Sequence, residues 1–157
     1  MQCGLIPIVA YNYGAKKPDR IHQSNRFAML YSLLFYSVFF LIMEMMPVRV
    51  LHLFNASGEM LGIGVTALRL LAVSYFLSIA GLIFSAAFQG LSMGVQSMVL
   101  TLGRQVVLPV IFIAVLSRLG NLPLIWLAFV LAEAVSIPFG IVFWKKESGK
   151  VLNYMEL

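Results

Sequence analysis

MLGIGVTALRLLAVSYFLSIAGLIFSAAF, residues 60–88, carries a single charged side chain, Arg69. A helix needs about 20 apolar residues to cross the hydrocarbon core of a bilayer, so this run is long enough to span one. Its neighbours read the same way. Phe27 to Phe54 is interrupted by charge or histidine only at Glu44, Arg49 and His52, all in its second half. Met93 to Leu116 holds Arg104 alone, and Leu122 to Trp144 holds Glu133 alone.

Composition agrees with the four runs. Hydrophobic residues make up 61% of the 157-residue chain, charged residues 11%, and mean hydropathy is +0.95. A soluble domain keeps roughly a quarter of its residues charged. Too few polar residues remain here to coat a soluble protein, so the bilayer is the expected surrounding. Met1 to Ala10 has no basic stretch and no matching cleavage site, so no secretory signal is expected there.

The net charge of +5 is placed before it is given a partner. Lys16, Lys17, Arg20 and Arg26 precede the first full span, and Lys145, Lys146 and Lys150 follow the last. Four spans put both groups on one side of the membrane, with only Arg49 and Arg118 in the opposite loops. Basic loops stay cytoplasmic, so both ends of the chain are expected on the cytoplasmic face of a cell membrane. Anchoring the topology accounts for residues 16–26 without nucleic acid; attraction to anionic headgroups is a side effect. Cys3 is the sole cysteine, which rules out internal disulfides and a cysteine-rich metal site. Asn55-Ala56-Ser57 matches a glycosylation sequon and is read as an ordinary external turn with Gly58.

The resulting organisation is all-α, a polytopic membrane helix bundle. Residues 1–15 read as the end of a helix whose start is missing, with Pro7 bending or breaking it and Gly14 capping it. Residues 16–25 read as a cytoplasmic loop containing Pro18. Residues 26–53, 60–89, 94–116 and 122–144 read as transmembrane helices, and 145–157 as a cytoplasmic tail. Pro47 is expected to kink the outer end of the first span, and Pro109 lies inside the third. Trp126 and Trp144 fall near opposite ends of the last span, where amphipathic rings favour the interfaces.

Charges inside a membrane are expensive and mark functional sites. Glu133, mid-span between Ala132 and Ala134, has two readings: a site for a cation, proton or cationic substrate, or a structural pair with an arginine of a neighbouring helix. Arg104 either holds a cytoplasmic gate or serves structure by snorkelling to the inner interface, the latter favoured. Arg69 is expected to pair with Glu59 or a headgroup, and Glu44 with Arg49. Tyr75, Ser78, Ser85 and Gln89 follow at spacings of three, seven and four, so they share one helical face. That face either lines a cavity or hydrogen-bonds to another helix. His22 and His52 lie on opposite membrane sides without metal-ligand spacing, and no nucleophile elbow, P-loop or dinucleotide fingerprint occurs. Nothing points to an enzyme, a metal site or a bound cofactor.

Gly4-Leu5-Ile6-Pro7-Ile8-Val9-Ala10-Tyr11-Asn12-Tyr13-Gly14-Ala15-Lys16-Lys17, followed by Asp19-Arg20, resembles the signature that ends the eighth helix of multidrug and toxic compound extrusion (MATE) transporters. It is nearest the bacterial multidrug exporter branch. Phe88-Gln89-Gly90-Leu91-Ser92-Met93-Gly94 resembles the junction of their tenth and eleventh helices. Gly103-Arg104-Gln105 with Leu108-Pro109 resembles the start of the eleventh, and Ile125-Trp126 with Ala132-Glu133 the twelfth. The resemblance implies part of a twelve-helix, two-lobe transporter, with Pro7, Asn12, Tyr13, Gly14, Ala15 and Arg20 in the family motif. Helices one to seven are missing. The second span lacks the carboxylate that some members place on helix ten, so that cation site does not carry over.

The expected function is secondary antiport of cationic amphipathic drugs or metabolites, driven by sodium ion or proton influx. Its partners are the bilayer, a small-molecule cationic substrate and the missing N-terminal helices. The alternatives are a flippase of lipid-linked precursors, or a non-transporting membrane anchor or interaction subunit. The orientation is open to direct test in a Cys3→Ser background. Ser57→Cys should react with an impermeant thiol reagent on intact cells, and Lys17→Cys only after permeabilisation; the reverse pattern would overturn the orientation.

Overall fold

Backbone polar groups in lipid must be satisfied within the segment that carries them, and the chain meets this demand with helices. The structure is a computed structural model that describes the backbone of residues 2–155 and the side chains of residues 2–151. No strand occurs among the described residues. The elements are α1 (Gln2–Gly14), α2 (Pro18–Met45), α3 (Pro47–Leu53), α4 (Glu59–Gly90), α5 (Gly94–Leu102), α6 (Leu108–Leu116) and α7 (Leu122–Met155). A π turn at Gly103–Val107 joins α5 to α6, so Gly94–Leu119 crosses as one span. Four segments are long and apolar enough to cross a membrane: Pro18–Met45, Glu59–Gly90, Gly94–Leu119 and Leu122–Val151.

The prolines set several boundaries. Residues 18–25, expected as loop, are the first turns of α2. Pro18 occupies the first turn, where its missing N–H costs nothing, and Asp19 meets the positive end of the helix dipole. Pro47 ends α2 outright rather than kinking it. The residue before a proline is disfavoured in the helical region, and Met46 sits outside it at φ −130° and ψ 41°. Pro109 removes an N–H and crowds the carbonyl four residues back. The ladder opens by one residue at that level, with the Leu108 N–H bonded to the Gly103 carbonyl. Pro7 lies inside α1 without ending it. The left-handed residue after α1 is Lys16, at φ 53°, and Gly14 is the last helical residue rather than the cap.

The expected tail at 145–157 continues α7 as far as Met155. Lysine and glutamate are good helix formers. Lys150 reaches Glu147 at 2.8 Å, while the Ser148 hydroxyl donates to the Trp144 carbonyl at 2.6 Å.

Helix α4 is the hub, packed against α1, α2, α5 and α7. Its C-terminal half buries Ile79, Ile83, Ala86, Ala87 and Phe88 with Leu5 and Val9 of α1, Ile21 of α2, Leu100 of α5 and Trp144 of α7. Trp144 is therefore a core residue rather than an interface anchor. Its ring stacks on Phe84 at 5.7 Å and meets Phe88 edge-on at 5.0 Å. Along most of its length α2 shows aromatic and aliphatic side chains outward, among them Phe27, Leu34, Phe35 and Val38.

Close approach of α1 to α4 requires glycine at position 90. A β-carbon there would lie 2.6 Å from Val9 Cβ and 3.0 Å from the Ile6 carbonyl oxygen, neither of which is the end of a flexible side chain. Gly90→Ala should cost about 1–3 kcal/mol by overpacking, read as a fall in the unfolding midpoint in detergent. Gly94→Ala, which meets open space, should stay within about 0.5 kcal/mol of the parent. Equal midpoints for the two variants would remove the packing role of Gly90.

Candidate functional site: a buried ion pair at the α4, α5–α6 and α7 junction

The π turn places Arg104 under α4, and α7 brings Glu133 to it. Arg104 Nη1 donates to Glu133 Oε1 at 2.9 Å, and the two residues are 3% and 8% exposed, so the pair is sealed within the bundle. The same nitrogen lies 3.4 Å from the Ser78 carbonyl oxygen. Ser136, one turn beyond Glu133, donates to the Glu133 carbonyl at 2.8 Å and lies 3.3 Å from Oε2. The arginine stem fits because position 81 is glycine. A β-carbon there would come within 2.7 Å of Arg104 Cδ and 2.8 Å of Nε. Nε and Nη2 are closed off from water and have no partner among the described residues.

Arg104 is buried rather than snorkelling, and Glu133 has the arginine partner offered as its structural reading. Attraction in a low-dielectric interior offsets the cost of burying two charges only when the geometry is close. Removing one partner strands the other, at roughly 3–5 kcal/mol. Ser136 and Gly81 escaped the sequence analysis. A serine three residues after a mid-span glutamate is the signal that could have found the first; the role of Gly81 depends on which helix packs against it.

The serine face of α4 divides. Ser78 and Ser85 are buried, Gln89 is exposed as a residue, and Tyr75 is 64% exposed. The Ser78 hydroxyl donates to the Tyr75 carbonyl at 2.7 Å, while the tyrosine ring lies outside the ion-pair site. Ser85 meets Ser97 at 2.7 Å and Thr101 at 2.8 Å, and Gln89 Nε2 donates to the Ser97 hydroxyl at 3.0 Å. That cluster joins α4 to α5, so this part of the face is a helix–helix seam. Tyr75 instead lines a separate groove of about 180 Å³ with Tyr36, Phe39, Phe40 and Phe76.

The residues that carry the resemblance, from Pro7 to Arg20, surround the turn between α1 and α2. Asn12 Nδ2 donates to the Ile8 carbonyl at 2.8 Å, and the Asn12 carbonyl accepts from the Lys17 N–H at 2.9 Å. The Tyr13 carbonyl accepts from the Lys16 N–H at 3.1 Å, with the tyrosine packed against the core. Pro7, Gly14, Ala15 and Arg20 are exposed. At the opposite end of the bundle, Arg69 pairs with Glu44 at 3.6 Å rather than with Glu59. Arg49, expected beside Glu44, reaches the Met46 sulfur at 3.7 Å. The Arg69–Glu44 contact is half-exposed, and such pairs contribute about 0–1 kcal/mol.

A model of the MatE family matches residues 1–115. Two similar solved structures are described as the outward-facing and the inward-facing conformation of a multidrug resistance MATE family transporter of the MOP superfamily. Each superposes at a TM-score of 0.88 with 21% identity, over 96% of this chain. The chain covers 34% and 35% of their respective lengths, about a third. No curated protein matches the chain.

The ion pair makes a measurable demand. Arg104→Met and Glu133→Leu should each destabilise the bundle by about 3–5 kcal/mol, and the double variant by clearly less than their sum. Unfolding of the four proteins in one detergent gives the coupling; strict additivity would remove the energetic link between the residues.

Proposed function

The chain belongs to the MatE family, and on that premise we propose that it forms the C-terminal part of a secondary antiporter in the cell membrane. The antiporter exports cationic, amphipathic drugs or metabolites against inward flow of sodium ions or protons. The observation that carries this reading is the family match over residues 1–115. The four membrane-length helices and the fold shared with multidrug transporters support it. In this reading the remaining helices come from the same transporter, both ends of the chain are cytoplasmic, and the protein does no covalent chemistry.

The equal match to an outward-facing and an inward-facing structure supports a part that keeps its shape while access alternates. The packing gives a physical reason. Helix α4 is tied to α7 through the aromatic core, to α5 through the hydroxyl cluster, and to both through the ion pair. We assign Arg104 and Glu133, with Ser78, a positioning role: they hold the last three spans in one arrangement. Gln89 joins the α4–α5 seam. Tyr75, beside Phe76 and Phe40 in an aromatic groove, is the residue suited to a cationic amphiphile, because ring faces attract cations.

Proteoliposomes decide the matter. The complete transporter carrying this segment should move a cationic dye when a sodium or proton gradient is imposed. The 157-residue chain alone should not, because transporter sites form at the interface of repeats. Dye transport by the isolated chain, or none by the complete protein under either gradient, would sink the reading.

A further inference from the structure

A second groove opens between α2 and α4 at the basic end of the bundle. Its volume is about 310 Å³, its walls are Met29, Leu30, Leu33, Ile83 and Phe84, and its polar rim is Asn25 with Arg26. Three observations fix what it suits. From Arg26 to Leu33 the helix rises about 10 Å, a third of a hydrocarbon core about 30 Å thick. The groove is therefore long enough for the first part of an acyl chain lying along α2. Arg26 is exposed at its mouth, just where the apolar run of the sequence begins. Both amide atoms of Asn25 are closed off from water without a partner, although the residue as a whole is only half-buried. An unmade amide hydrogen bond is costly, and Asn25 lines this groove.

Charge selects the headgroup. Lys17 and Arg20 stand at the start of the same helix, and Lys145 and Lys146 follow Trp144, which shares the core with Ile21 at this end. A cationic amphiphile is repelled there, and a zwitterionic lipid gains less than an anionic one. We propose that the groove is a binding site for one anionic phospholipid. Its phosphate sits on Arg26, the Asn25 amide donates to a phosphate or ester oxygen, and one acyl chain lies against Met29, Leu30, Leu33 and Ile83. The site rests on membrane insertion alone and is independent of what is transported.

Native mass spectrometry of the full chain tests it, with added phosphatidylglycerol or phosphatidylcholine of identical acyl chains. Phosphatidylglycerol should be retained in one-to-one stoichiometry and preferred several-fold. Arg26→Gln should lower its affinity about five-fold, and Asn25→Leu with Arg26→Gln should abolish the preference. Lys145→Gln with Lys146→Gln, at the same end but off the groove, should leave one-to-one binding in place. If the lysine pair removes binding as strongly as Arg26→Gln, the attraction is diffuse and the site is overturned. Arg26 is exposed, so its variant folds; unchanged helical content by circular dichroism checks this. A photo-crosslinker at Leu30 should capture lipid. Capture of another stretch of polypeptide instead would show that protein covers the groove, which also overturns the proposal.

Discussion

Arg104 brings a full charge into the interior of a bundle that has almost none, and a charge there must be met by another. Glu133 meets it at 2.9 Å. The consequences run outward from that contact. The pair ties the third span to the fourth. The Ser78 carbonyl extends the tie to α4, and Gly81 must lack a side chain so that the arginine can pass. The π turn at Gly103–Val107 delivers the arginine, and it lies just before Pro109, the residue that cannot continue the regular ladder. A proline, a glycine, a serine and two charges on three spans thus serve a single arrangement.

The remaining cohesion sits at the basic end. Phe84, Phe88 and Trp144 form an aromatic contact between α4 and α7, while Val9 and Ile21 close it from α1 and α2. Inside a bilayer apolar burial alone does not drive helices together, because lipid is as apolar as a side chain. Close packing and interhelical hydrogen bonds do so. Both are present here: Gly90 lets α1 touch α4, and the Ser85, Ser97 and Thr101 hydroxyls join α4 to α5. The first span is held more lightly. Only Ile21 and Ser32 of α2 are buried, and α2 ends at Met45, two residues before the new helix that Pro47 begins. Its exposed outer surface is suited to lipid, and its basic start to lipid headgroups.

These features make the last three spans one packed unit. A seam made of an ion pair, hydroxyl bonds and stacked rings resists shear between α4, α5–α6 and α7. The lightly held α2 and the groove beside it leave the lipid-facing side adaptable.

The sequence by itself determined the helix class, the four crossings and the basic end, because each depends on the count and order of apolar and charged residues along the chain. It also carried the family motif, which is a local string. Boundaries were less legible. Pro18 starts a helix within a polar stretch that reads as loop, α7 runs on through the polar residues 145–155, and Pro47 breaks at Met46 an apolar run that reads as one span. Partnerships were legible only in part. Sequence offered Glu133 an arginine of a neighbouring helix without fixing which, gave Arg69 to Glu59 or a headgroup, and set Trp144 at an interface. Which residues meet depends on the rotation of each helix about its axis and on the level at which neighbours cross. Those quantities are set by packing between spans distant in the chain, so only the tertiary structure decided that Arg104 finds Glu133, that Arg69 finds Glu44, and that Trp144 belongs to the core.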